Sequence, residues 1–559
     1  MSKTLTKIKS LKNRLFKAAA IFTGSLLVAF AIFYWWISAF CIAQPPRLDR
    51  PMPIASQNIT ESDGYTRIGK SYLRRKDGIL RMVVEGDPYT RGFSIGALTK
   101  EYIEVQEEEF IAAVREHLPG RTAEWLLKVF ITIRNRNLPD YISREHQLEL
   151  YGYVSAYEDK FARIGPIYHR KLNYHAAHDI GHAIIDNPLV GCTSFAAGGD
   201  YTNDRHLIMG RTFDFDVARS FDINKVVYFV KPDTGLEFIY VAWPGMMGVV
   251  SGINAARIAV SINAGHSDDD ATIGAPVALV ARDIMQYDAS LDEAIKRIRE
   301  SKMFVNESFL LADGKTGQAI VVEKSPLRCV VRKAENNKII CANHFLSDTF
   351  QNDRKHKDYL KQGTSVVRFR RMEELVESFK GHLTPRDAAA ILRDRAVPGR
   401  DKPAVGNPAA INMLIATHAV VFDVTDGVMW VSAGPHQLGA FVPFGLENFE
   451  APEGKAIIPP DDLLTSGGYD RYLRSQDRLD NARRLLDDKR YEEAMEECNK
   501  AQQLNPTDYQ IPALQSRIAL NLKRKGDARR FIHRAQELHV AYGHERRELE
   551  EMLVEIENQ

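Results

Sequence analysis

The sequence is poor in cysteine and carries almost no net charge. Its 559 residues include only Cys41, Cys192, Cys329, Cys341 and Cys498, and no two of them form a CxxC pair. This spacing argues against a disulfide framework and against a zinc site built from cysteines. The 74 Lys and Arg residues nearly balance the 73 Asp and Glu residues, which leaves a formal net charge of +1. The chain therefore has no global basic field, and its charge does not indicate nucleic acid as a partner.

Two common cofactor and metal signatures are missing as well. The chain contains no GxGxxG segment and no HExxH segment, and we predict neither a cofactor nor a metal. At 559 residues, 45% of them hydrophobic and 26% charged, the chain has the size and composition of a globular protein with two or three domains.

An apolar segment near the N-terminus departs from this globular composition. Residues 18–40 are 23 consecutive positions without a charge. A helix of that length, at about 1.5 Å per residue, crosses a hydrocarbon core roughly 30 Å thick. Residues 1–17 carry six basic side chains, so the positive-inside rule predicts that they form a cytoplasmic segment. We therefore expect a single-pass membrane helix with the rest of the chain on the periplasmic or extracellular side; a removed signal peptide is the alternative.

The remaining chain changes its sequence pattern three times. Residues 41–64 are rich in proline and aperiodic, as in a linker, and residues 65–191 are mostly helical in pattern. Residues 192–460 contain short alternating strands, with helices between them. Strands in runs followed by helices and more strands predict an α+β domain with antiparallel sheets. Residues 477–559 have the pattern of a helical tail.

The tail contains an internal repeat of 34 residues. The pairs separated by this interval are Ala494 and Ala528, Ala501 and Ala535, and Leu504 and Leu538. The period and the small residues resemble tetratricopeptide repeats. Two repeats are few for a free-standing solenoid, so the tail is expected either to pack against the rest of the chain or to form a small docking surface for another protein.

Cys192 is the position that best supports a chemical interpretation. It follows Gly191, opens the strand "CTSFAA", and precedes the segment "GRTFDF", in which Arg211 and Asp214 are three positions apart. A thiol needs a base to become a thiolate at about pH 7, and no Cys/His signature adjoins this one. Cleavage between Gly191 and Cys192 would place a new α-amine, which titrates at about pH 8, beside the sulfur. Gly191 has no side chain to obstruct attack of the thiol on its carbonyl.

The segment "GCTSFAA…DRHLIMGRTFDFD" resembles a known family of enzymes. It is similar to the acyl-coenzyme A:6-aminopenicillanic-acid acyltransferase-like family of N-terminal-nucleophile (Ntn) cysteine hydrolases, which are related to choloylglycine hydrolases. The resemblance covers residues 75–450 and includes "EGDPYTRGFSIG". It implies a four-layer αββα fold, self-cleavage before the cysteine with residues 65–191 as a pro-region, and residues 192–460 as the catalytic domain.

The resemblance also implies roles for three residues around the predicted cleavage point. Cys192 matches the family's nucleophile, Arg211 its arginine beside the sulfur, and Asp214 its aspartate beside the α-amine. Thr212 stands where many members have asparagine, a departure that we expect to be tolerated.

Three further positions match through short segments later in the chain. Asn263 in "SINAG" matches an asparagine of the oxyanion hole, with Asn254 as the competing choice. Asn343 in "CANHF" matches the second polar position, whose amide can donate to the developing oxyanion. Arg368 in "SVVRFRRM" matches the final arginine, and spacing alone does not separate it from Arg371.

A group of histidines offers a competing chemistry. In "HAAHDIGH", His175, His178 and His182 have the i, i+3 and i+7 spacing of one helix face. Three imidazoles on one face can hold zinc and leave a position open for water, as in a metal-dependent hydrolase. No carboxylate motif accompanies them, and the family that the chain resembles uses no metal.

We therefore expect a membrane-anchored, autoproteolytic Ntn amidohydrolase or acyltransferase. It would act on small-molecule, non-peptide acyl amides through an acyl-thioester on Cys192. Its expected partners are this substrate, the membrane through residues 18–40, and, if the tail is a docking surface, another protein. The alternative from a different class is a catalytically silent, membrane-tethered scaffold that binds proteins through its helical repeats, which requires an intact chain and an unreactive Cys192.

Overall fold

The architecture comes from a computed structural model that describes residues 2–48, 59–117, 120–176, 179, 191–215, 218–269, 273–399 and 403–558. Within these ranges the strands form two sheets, one of eleven strands and one of six. The sheets pack face to face through a cluster of buried apolar side chains to which both contribute.

Helices precede the strands, interrupt them and follow them. In the described ranges they are α1 Ser2–Phe40, α2 Pro88–His117, α3 Arg121–Arg134, α4 Arg144–Ser155, α5 Ile167–His175, α6 Arg219–Ile223, α7 Val277–Tyr287, α8 Leu291–Glu300, α9 Arg354–Gln362, α10 Ser365–Ser378, α11 Pro385–Leu392, α12 Asp462–Thr465, α13 Gly468–Asp487, α14 Tyr491–Leu504, α15 Gln510–Asn521, α16 Lys525–Glu537 and α17 Gly543–Asn558.

The larger sheet combines strands from both sides of the predicted cleavage point. Its strands, in spatial order, are β1 Thr60–Ser62, β2 Tyr65–Ile68, β3 Ser71–Lys76, β4 Ile79–Gly86, β7 Val226–Pro232, β8 Phe238–Ala242, β9 Ser251–Asn254, β10 Ile258–Ala264, β11 Glu307–Asp313, β12 Gln318–Lys324 and β13 Cys329–Lys333. β4 and β7 run parallel, with Leu80 opposite Val226. The prediction of antiparallel sheets is wrong at this pair, because a long helical connection between β4 and β7 permits the parallel crossover. β1 also begins inside the predicted linker.

The smaller sheet contains the hairpin that follows Gly191. Its strands, in spatial order, are β14 Lys338–Cys341, β5 Thr193–Ala197, β6 Ile208–Asp214, β15 Ala416–Asp423, β16 Val428–Ser432 and β17 Phe441–Gly445. β5 and β6 are antiparallel, with Ser194 opposite Arg211. The start of β5 therefore lies beside the end of β6, and β14 pairs with the other edge of β5.

Helices cover the outward face of each sheet. Leu98 of α2, Leu150 of α4 and Ile284 of α7 belong to an apolar cluster with residues of the larger sheet. Met372 of α10 and Ile391 of α11 belong to a cluster with residues of the smaller sheet. Burial of these side chains fixes the helices on the sheets, since each fully buried aliphatic side chain contributes about 1.5–3 kcal/mol.

The glycines of "TRGFSIG" permit close contact between two helices. A Cβ added to Gly92 on α2 would lie 1.7 Å from the carbonyl oxygen of Glu149 on α4. The segment Gly92–Gly96 has the letters of a GxSxG nucleophile motif, but Ser94 lies inside α2 and its hydroxyl donates to the carbonyl of Thr90 at 2.9 Å. The motif requires a sharp strand-to-helix turn, so this serine is structural.

A second segment matches an enzyme motif only in its letters. Residues 64–71, "GYTRIGKS", fit the GxxxxGK[ST] pattern of phosphate-binding loops. In the structure they form β2, a turn and the first residue of β3, and Lys70 pairs with Glu85 at 2.5 Å. A phosphate-binding loop of this type precedes a helix, whereas this segment leads into the strand β3.

The C-terminal helices pack against the rest of the chain. Val397 and Ala409 share a buried apolar cluster with Tyr509 of the tail. The side-chain amide of Asn407 donates to the carbonyl of His539 at 2.9 Å. The tail therefore packs against the rest of the chain, which is one of the two expected alternatives. The 34-residue repeat and the docking of another protein stay predictions. Helix α13 begins at Gly468, nine residues before the predicted start at 477 (477 − 468).

The N-terminal helix is longer than the predicted apolar segment. It runs from Ser2 to Phe40 and includes the basic residues as well. Within Arg14–Phe40, a stretch of 18 residues has a mean hydropathy of 2.0 and is not buried by the rest of the described chain. This part is long and apolar enough to cross a membrane, and a signal sequence has the same properties.

Candidate active site

Cys192 lies immediately before β5 and is fully buried. Its sulfur accepts a hydrogen bond from Nη2 of Arg211 at 3.6 Å, and its carbonyl oxygen accepts one from Nη1 of Arg368 at 2.8 Å. The amide of Gly191 donates to the carbonyl of Asp214 at 3.2 Å. The predicted scissile bond is thus held between the ends of β5 and β6.

The guanidinium of Arg211 is fixed by backbone acceptors of the larger sheet. It donates to the carbonyl oxygens of Val250 at 3.0 Å and Ile262 at 2.6 Å. The Cζ atom of this guanidinium lies 4.3 Å from the ring centroid of Phe213, so one face of the group stacks over the ring. These contacts hold a positive charge beside the Cys192 sulfur with little freedom to move away.

Burial raises the pKa of the Cys192 thiol in the continuous chain. The charge of Arg211 acts in the opposite direction, and the carboxyl group of Asp214 raises the pKa further. The nitrogen of Cys192 is an amide in the continuous chain and cannot serve as a base. In the continuous chain the raised pKa therefore favours the protonated thiol at this site.

Asp214 has an unused hydrogen-bond acceptor. Its Oδ2 accepts from the hydroxyl of Thr212 at 2.8 Å, whereas its Oδ1 is buried without a partner among the described residues. Burial raises the pKa of Asp214 to about 7, against the charge of Arg368, the hydrogen bond from Thr212 and the charge of Arg211. A free carboxylate oxygen beside Cys192 is suited to an ammonium group.

The structure distinguishes between the two candidate asparagines of the first oxyanion position. Asn263 accepts from the hydroxyl of Ser194 at 3.1 Å, and its amide Nδ2 is buried without a partner among the described residues. Asn254 instead holds the β9–β10 turn: its Oδ1 accepts from the amide of Ile258 at 2.9 Å, and its Nδ2 donates to the carbonyl of Asp288 at 2.8 Å. Of these two asparagines, only Asn263 has a side-chain amide donor without a partner among the described residues.

Asn343 and Arg368 form a connected pair beside Cys192. Nη2 of Arg368 donates to Oδ1 of Asn343 at 2.9 Å, which directs the amide Nδ2 of Asn343 to the carbonyl of Ala264 at 3.3 Å. Arg371 lies away from the site, because its guanidinium binds Asp394 at 2.8 and 3.0 Å. The structure thus places Arg368 at the site and leaves Arg371 outside it.

Three side chains near the site carry no signal in the sequence. Glu307 on β11 is fully buried, and neither of its carboxylate oxygens has a partner among the described residues. Burial raises its pKa well above the ordinary value for glutamate. Ser251 binds Arg211 and also Nε2 of His418, the latter at 3.0 Å. Each of these residues lies in a strand whose sequence pattern does not set it apart. The packing of the two sheets brings it close to Cys192 and Arg211.

The structure does not support the histidine alternative. Nδ1 of His175 lies 2.8 Å from the carbonyl oxygen of Lys171, and its Nε2 accepts from the amide of Met247 at 3.2 Å. Both ring nitrogens are occupied, so His175 cannot ligate a metal in this arrangement. His178 and His182 lie outside the described residues.

One other group of metal-ligand side chains occurs in the described part of the chain. His206, Asp423 and Asp426 offer ligand atoms within 4.8 Å of one another. The ammonium of Lys455 contacts Asp423 at 2.9 Å and also binds Asp426. This lysine already supplies the positive charge that a cation would bring.

Comparison with known proteins finds a family whose sequence is similar to part of this chain. Residues 201–434 match the family described as acyl-coenzyme A:6-aminopenicillanic acid acyl-transferase. The chain resembles this family. The predicted resemblance is confirmed over this range, which is less than half of the 559 residues and begins nine residues after Cys192 (201 − 192). The candidate site residues inside the range are Arg211, Asp214, Asn263, Asn343 and Arg368.

Two curated relatives are similar in sequence. An uncharacterized protein of Archaeoglobus fulgidus is 27% identical over 254 residues, which are 43% of this chain and 42% of the relative. Protein dcd1A of Dictyostelium discoideum is 23% identical over 277 residues, which are 45% of this chain and 59% of the relative. The chain thus spans about half the length of the curated relatives that it matches.

Solved structures of two enzymes are also similar. The Caenorhabditis elegans ortholog of N-acylethanolamine-hydrolyzing acid amidase is 16% identical, with a TM-score of 0.31, over 42% of this chain and 93% of that chain. A variant of the conjugated bile acid hydrolase of Clostridium perfringens is 12% identical, with a TM-score of 0.33, over 48% of this chain and 95% of that chain.

The buried carboxyl of Asp214 predicts a pH dependence of stability. Because its folded pKa of about 7 exceeds its ordinary value of 3.8, its contribution is fully present below about pH 4 and is lost as the pH rises through about 7. In a Cys192→Ala background, Asp214→Asn should therefore raise the free energy of unfolding at about pH 8. The gain should be on the order of 4 kcal/mol, from 1.36 kcal/mol per pKa unit.

Denaturant unfolding of the two full-length chains from about pH 4 to about pH 8 measures this difference. Other titrating groups are common to both chains and cancel in the comparison. A difference that does not change with pH would show that Asp214 is ionised throughout.

Proposed function

We propose that the protein is an Ntn cysteine amidohydrolase or acyltransferase that is anchored to a membrane and matures by cleaving itself before Cys192. The observation that carries this proposal is a buried thiol that accepts a hydrogen bond from a guanidinium, together with a carboxylate oxygen on β6 and an amide donor on β10 that are both buried without partners among the described residues. Arg211, Asp214 and Asn263 supply these groups. The match of residues 201–434 to an acyltransferase family supports the same chemistry.

Maturation begins at the bond between Gly191 and Cys192. The Cys192 thiol attacks the carbonyl carbon of Gly191, the C–N bond breaks, the thiol proton passes to the departing Cys192 nitrogen, and the chain is transferred from nitrogen to sulfur as a thioester. Water then hydrolyses the thioester, which leaves a carboxylate on Gly191 and a free α-amine on Cys192. In this proposal Oδ1 of Asp214, which is buried without a partner among the described residues, accepts a hydrogen bond from this amine and holds it beside the sulfur.

Turnover uses the new α-amine as the base. It takes the thiol proton, and the thiolate attacks the acyl carbon of the substrate. The amide of Asn263 donates to the oxyanion, and Asn343, oriented by Arg368, supplies a second donor. The leaving amine takes up the proton, and the acyl-thioester is then cleaved by water or by an acceptor amine.

The two fragments remain one protein in this proposal. β4 pairs with β7 over seven residues of each strand, and the fragment that ends at Gly191 supplies both β4 and the helices α2 and α4, which cover part of the larger sheet. We propose that the two sheets and their helical layers form the four-layer αββα arrangement of Ntn hydrolases, with residues 65–191 as its pro-region and residues 192–460 as its catalytic domain.

An acyl-enzyme trapped on Cys192 tests the proposed chemistry. Full-length protein in detergent is mixed with a panel of acyl p-nitroanilides and quenched with acid, and the large fragment is weighed by mass spectrometry. We expect its mass to increase by one acyl group, located on Cys192 by peptide mapping, and p-nitroaniline to be released. Release of p-nitroaniline from a Cys192→Ala chain would contradict the assignment of the nucleophile.

Membrane topology is tested separately. We propose, from the basic residues of positions 1–17 and the positive-inside rule, that the N-terminus is cytoplasmic, so a reporter fused after Gln559 should be active only on the periplasmic or extracellular side. Moving the basic charges to the other end of the apolar segment should reverse the result. Cytoplasmic activity of the first fusion would overturn the proposed orientation.

A further inference from the structure

Helix α3, Arg121–Arg134, carries an apolar face that the described chain leaves open. The residues of this face have the spacing i, i+1, i+4, i+5 and i+8 and are Trp125, Leu126, Val129, Phe130 and Ile133. Trp125 is 45% exposed, Leu126 55% and Phe130 49%, and no residue of α3 is buried by the described chain. Single exposed apolar residues are ordinary, whereas a contiguous apolar face marks an interaction surface.

The charged side chains near the middle of α3 lie on its opposite face and are paired within the protein. Glu124 accepts from Nε of Arg115 on α2 at 3.1 Å and pairs with Lys128, one turn further along α3, at 2.8 Å. A surface helix usually buries its apolar face and exposes its charges. α3 has the reverse orientation, so its ion pairs face α2 and its apolar face is left for a partner outside the described chain.

The apolar helix α1 ends close to α3. Ala43, three residues after α1 ends at Phe40 (43 − 40), donates its amide hydrogen to Nδ1 of His169 at 3.1 Å. The other ring nitrogen of this histidine, Nε2, lies 3.4 Å from the hydroxyl oxygen of Thr132, near the end of α3. Three residues span at most about 11 Å. The end of α3 is therefore near the point at which α1, if it spans a bilayer, leaves the lipid.

The length and composition of α3 fit the surface of that bilayer. Its 14 residues make a rod about 21 Å long. Tryptophan favours the membrane–water interface, because its ring is apolar and its N–H is polar. Arg121 at the start of α3 and Arg136 just after its end are exposed, and both guanidinium groups suit lipid phosphates. A helix with one apolar face and basic ends is of the type that lies in the interface plane.

We propose that α3 lies in the interface of the bilayer that α1 spans, with Trp125, Leu126 and Phe130 inserted among the upper parts of the phospholipid acyl chains. This inference rests on the membrane anchoring in the proposed function and adds a second, non-spanning contact to it. The contact belongs to the fragment that ends at Gly191. It holds the helices of that fragment against the membrane surface.

Quenching of tryptophan fluorescence by brominated lipid tests this contact. Two of the five tryptophans, Trp35 and Trp36, lie in α1. The full-length chain with Trp35→Phe/Trp36→Phe is reconstituted into phosphatidylcholine–phosphatidylglycerol vesicles whose acyl chains carry bromine near either the headgroup end or the methyl end. We expect quenching that is stronger with bromine near the headgroup end, because an interfacial helix enters the bilayer by only about 5–10 Å. Adding Trp125→Phe should remove it, since Trp430 is buried and Trp243 packs against the core.

Charge substitutions test whether the apolar face makes the contact. In the same background, Leu126→Asp/Phe130→Asp should lower the quenching of Trp125 by about threefold or more, because two carboxylates oppose insertion among acyl chains. The matched control is Leu327→Asp, which changes a side chain that is 76% exposed between β12 and β13 and should leave the quenching unchanged. Circular dichroism should show the same fold in both variants, since the substituted side chains are already half-exposed or more. Equal quenching in the two variants would overturn the inference, and so would fluorescence that Trp125→Phe does not alter.

A second chain separates this contact from the anchor. It keeps Trp35 and Trp36 and carries Trp125→Phe, so its quenching reports α1. Quenching in both chains supports the anchor and the α3 contact together. Quenching of α1 without quenching of Trp125 would overturn the inference and leave the anchor in place. Quenching of Trp125 alone would support the contact of α3 with lipid and overturn the anchor, and the absence of both would overturn the two together.

Discussion

Cys192→Ala is expected to leave a single chain of 559 residues without amidase activity. The wild-type protein should instead separate on a denaturing gel into fragments of 191 and 368 residues (559 − 191). The reason is that one sulfur performs both reactions, since it attacks the carbonyl of Gly191 during maturation and the acyl carbon during turnover. N-terminal sequencing of the larger fragment should begin with Cys-Thr-Ser. The two fragments should elute together under native conditions because β4 and β7 pair across the cleavage point.

Cys341→Ala is the matched control for this experiment. Cys341 is also buried in the smaller sheet, and burial raises its pKa to about 12. No proposed step uses it, so this variant should be cleaved and remain active. An active wild-type enzyme that stays a single chain would refute the mechanism. An inactive single chain would favour the scaffold alternative, in which the anchor and the helical tail carry the function.

Asn263→Ala is expected to lower kcat by about a hundredfold to a thousandfold, as for the loss of one preorganised oxyanion donor. Its amide is buried without a partner among the described residues, so it is free to bind charge that develops on a substrate oxygen. Asn343→Ala should also reduce the rate by roughly a hundredfold or more. In addition, it removes the acceptor that orients Arg368. Burst kinetics with acyl p-nitroanilides would separate the acylation step from thioester hydrolysis.

Asn254→Ala provides the comparison for the oxyanion residues. It removes an equally buried asparagine whose two polar groups hold the β9–β10 turn. We expect it to lower the melting temperature and to leave kcat nearly unchanged per folded molecule. If Asn254→Ala reduced kcat as much as Asn263→Ala does, the assignment of the oxyanion donor to Asn263 would be wrong.

The tail illustrates a limit of reasoning from motifs. No proposed catalytic position lies beyond Arg368, which makes the tail look dispensable in the sequence. In the structure, however, the tail covers Val397 and Ala409, and Arg547 of α17 contacts Gln362 at the end of α9. A chain without the tail would expose this apolar surface.

The sequence by itself determined the features that depend on short stretches of chain. The uncharged segment 18–40 predicts an apolar helix, and the hairpin after Gly191 brings Cys192 and Arg211 together because adjacent antiparallel strands align neighbours in sequence. Only the tertiary structure decided the features that depend on distant segments. It identifies Asn263, and not Asn254, as the asparagine with an unpartnered amide donor among the described residues, and it shows that β4 pairs with β7. Both features depend on residues that pack against these positions from elsewhere in the chain.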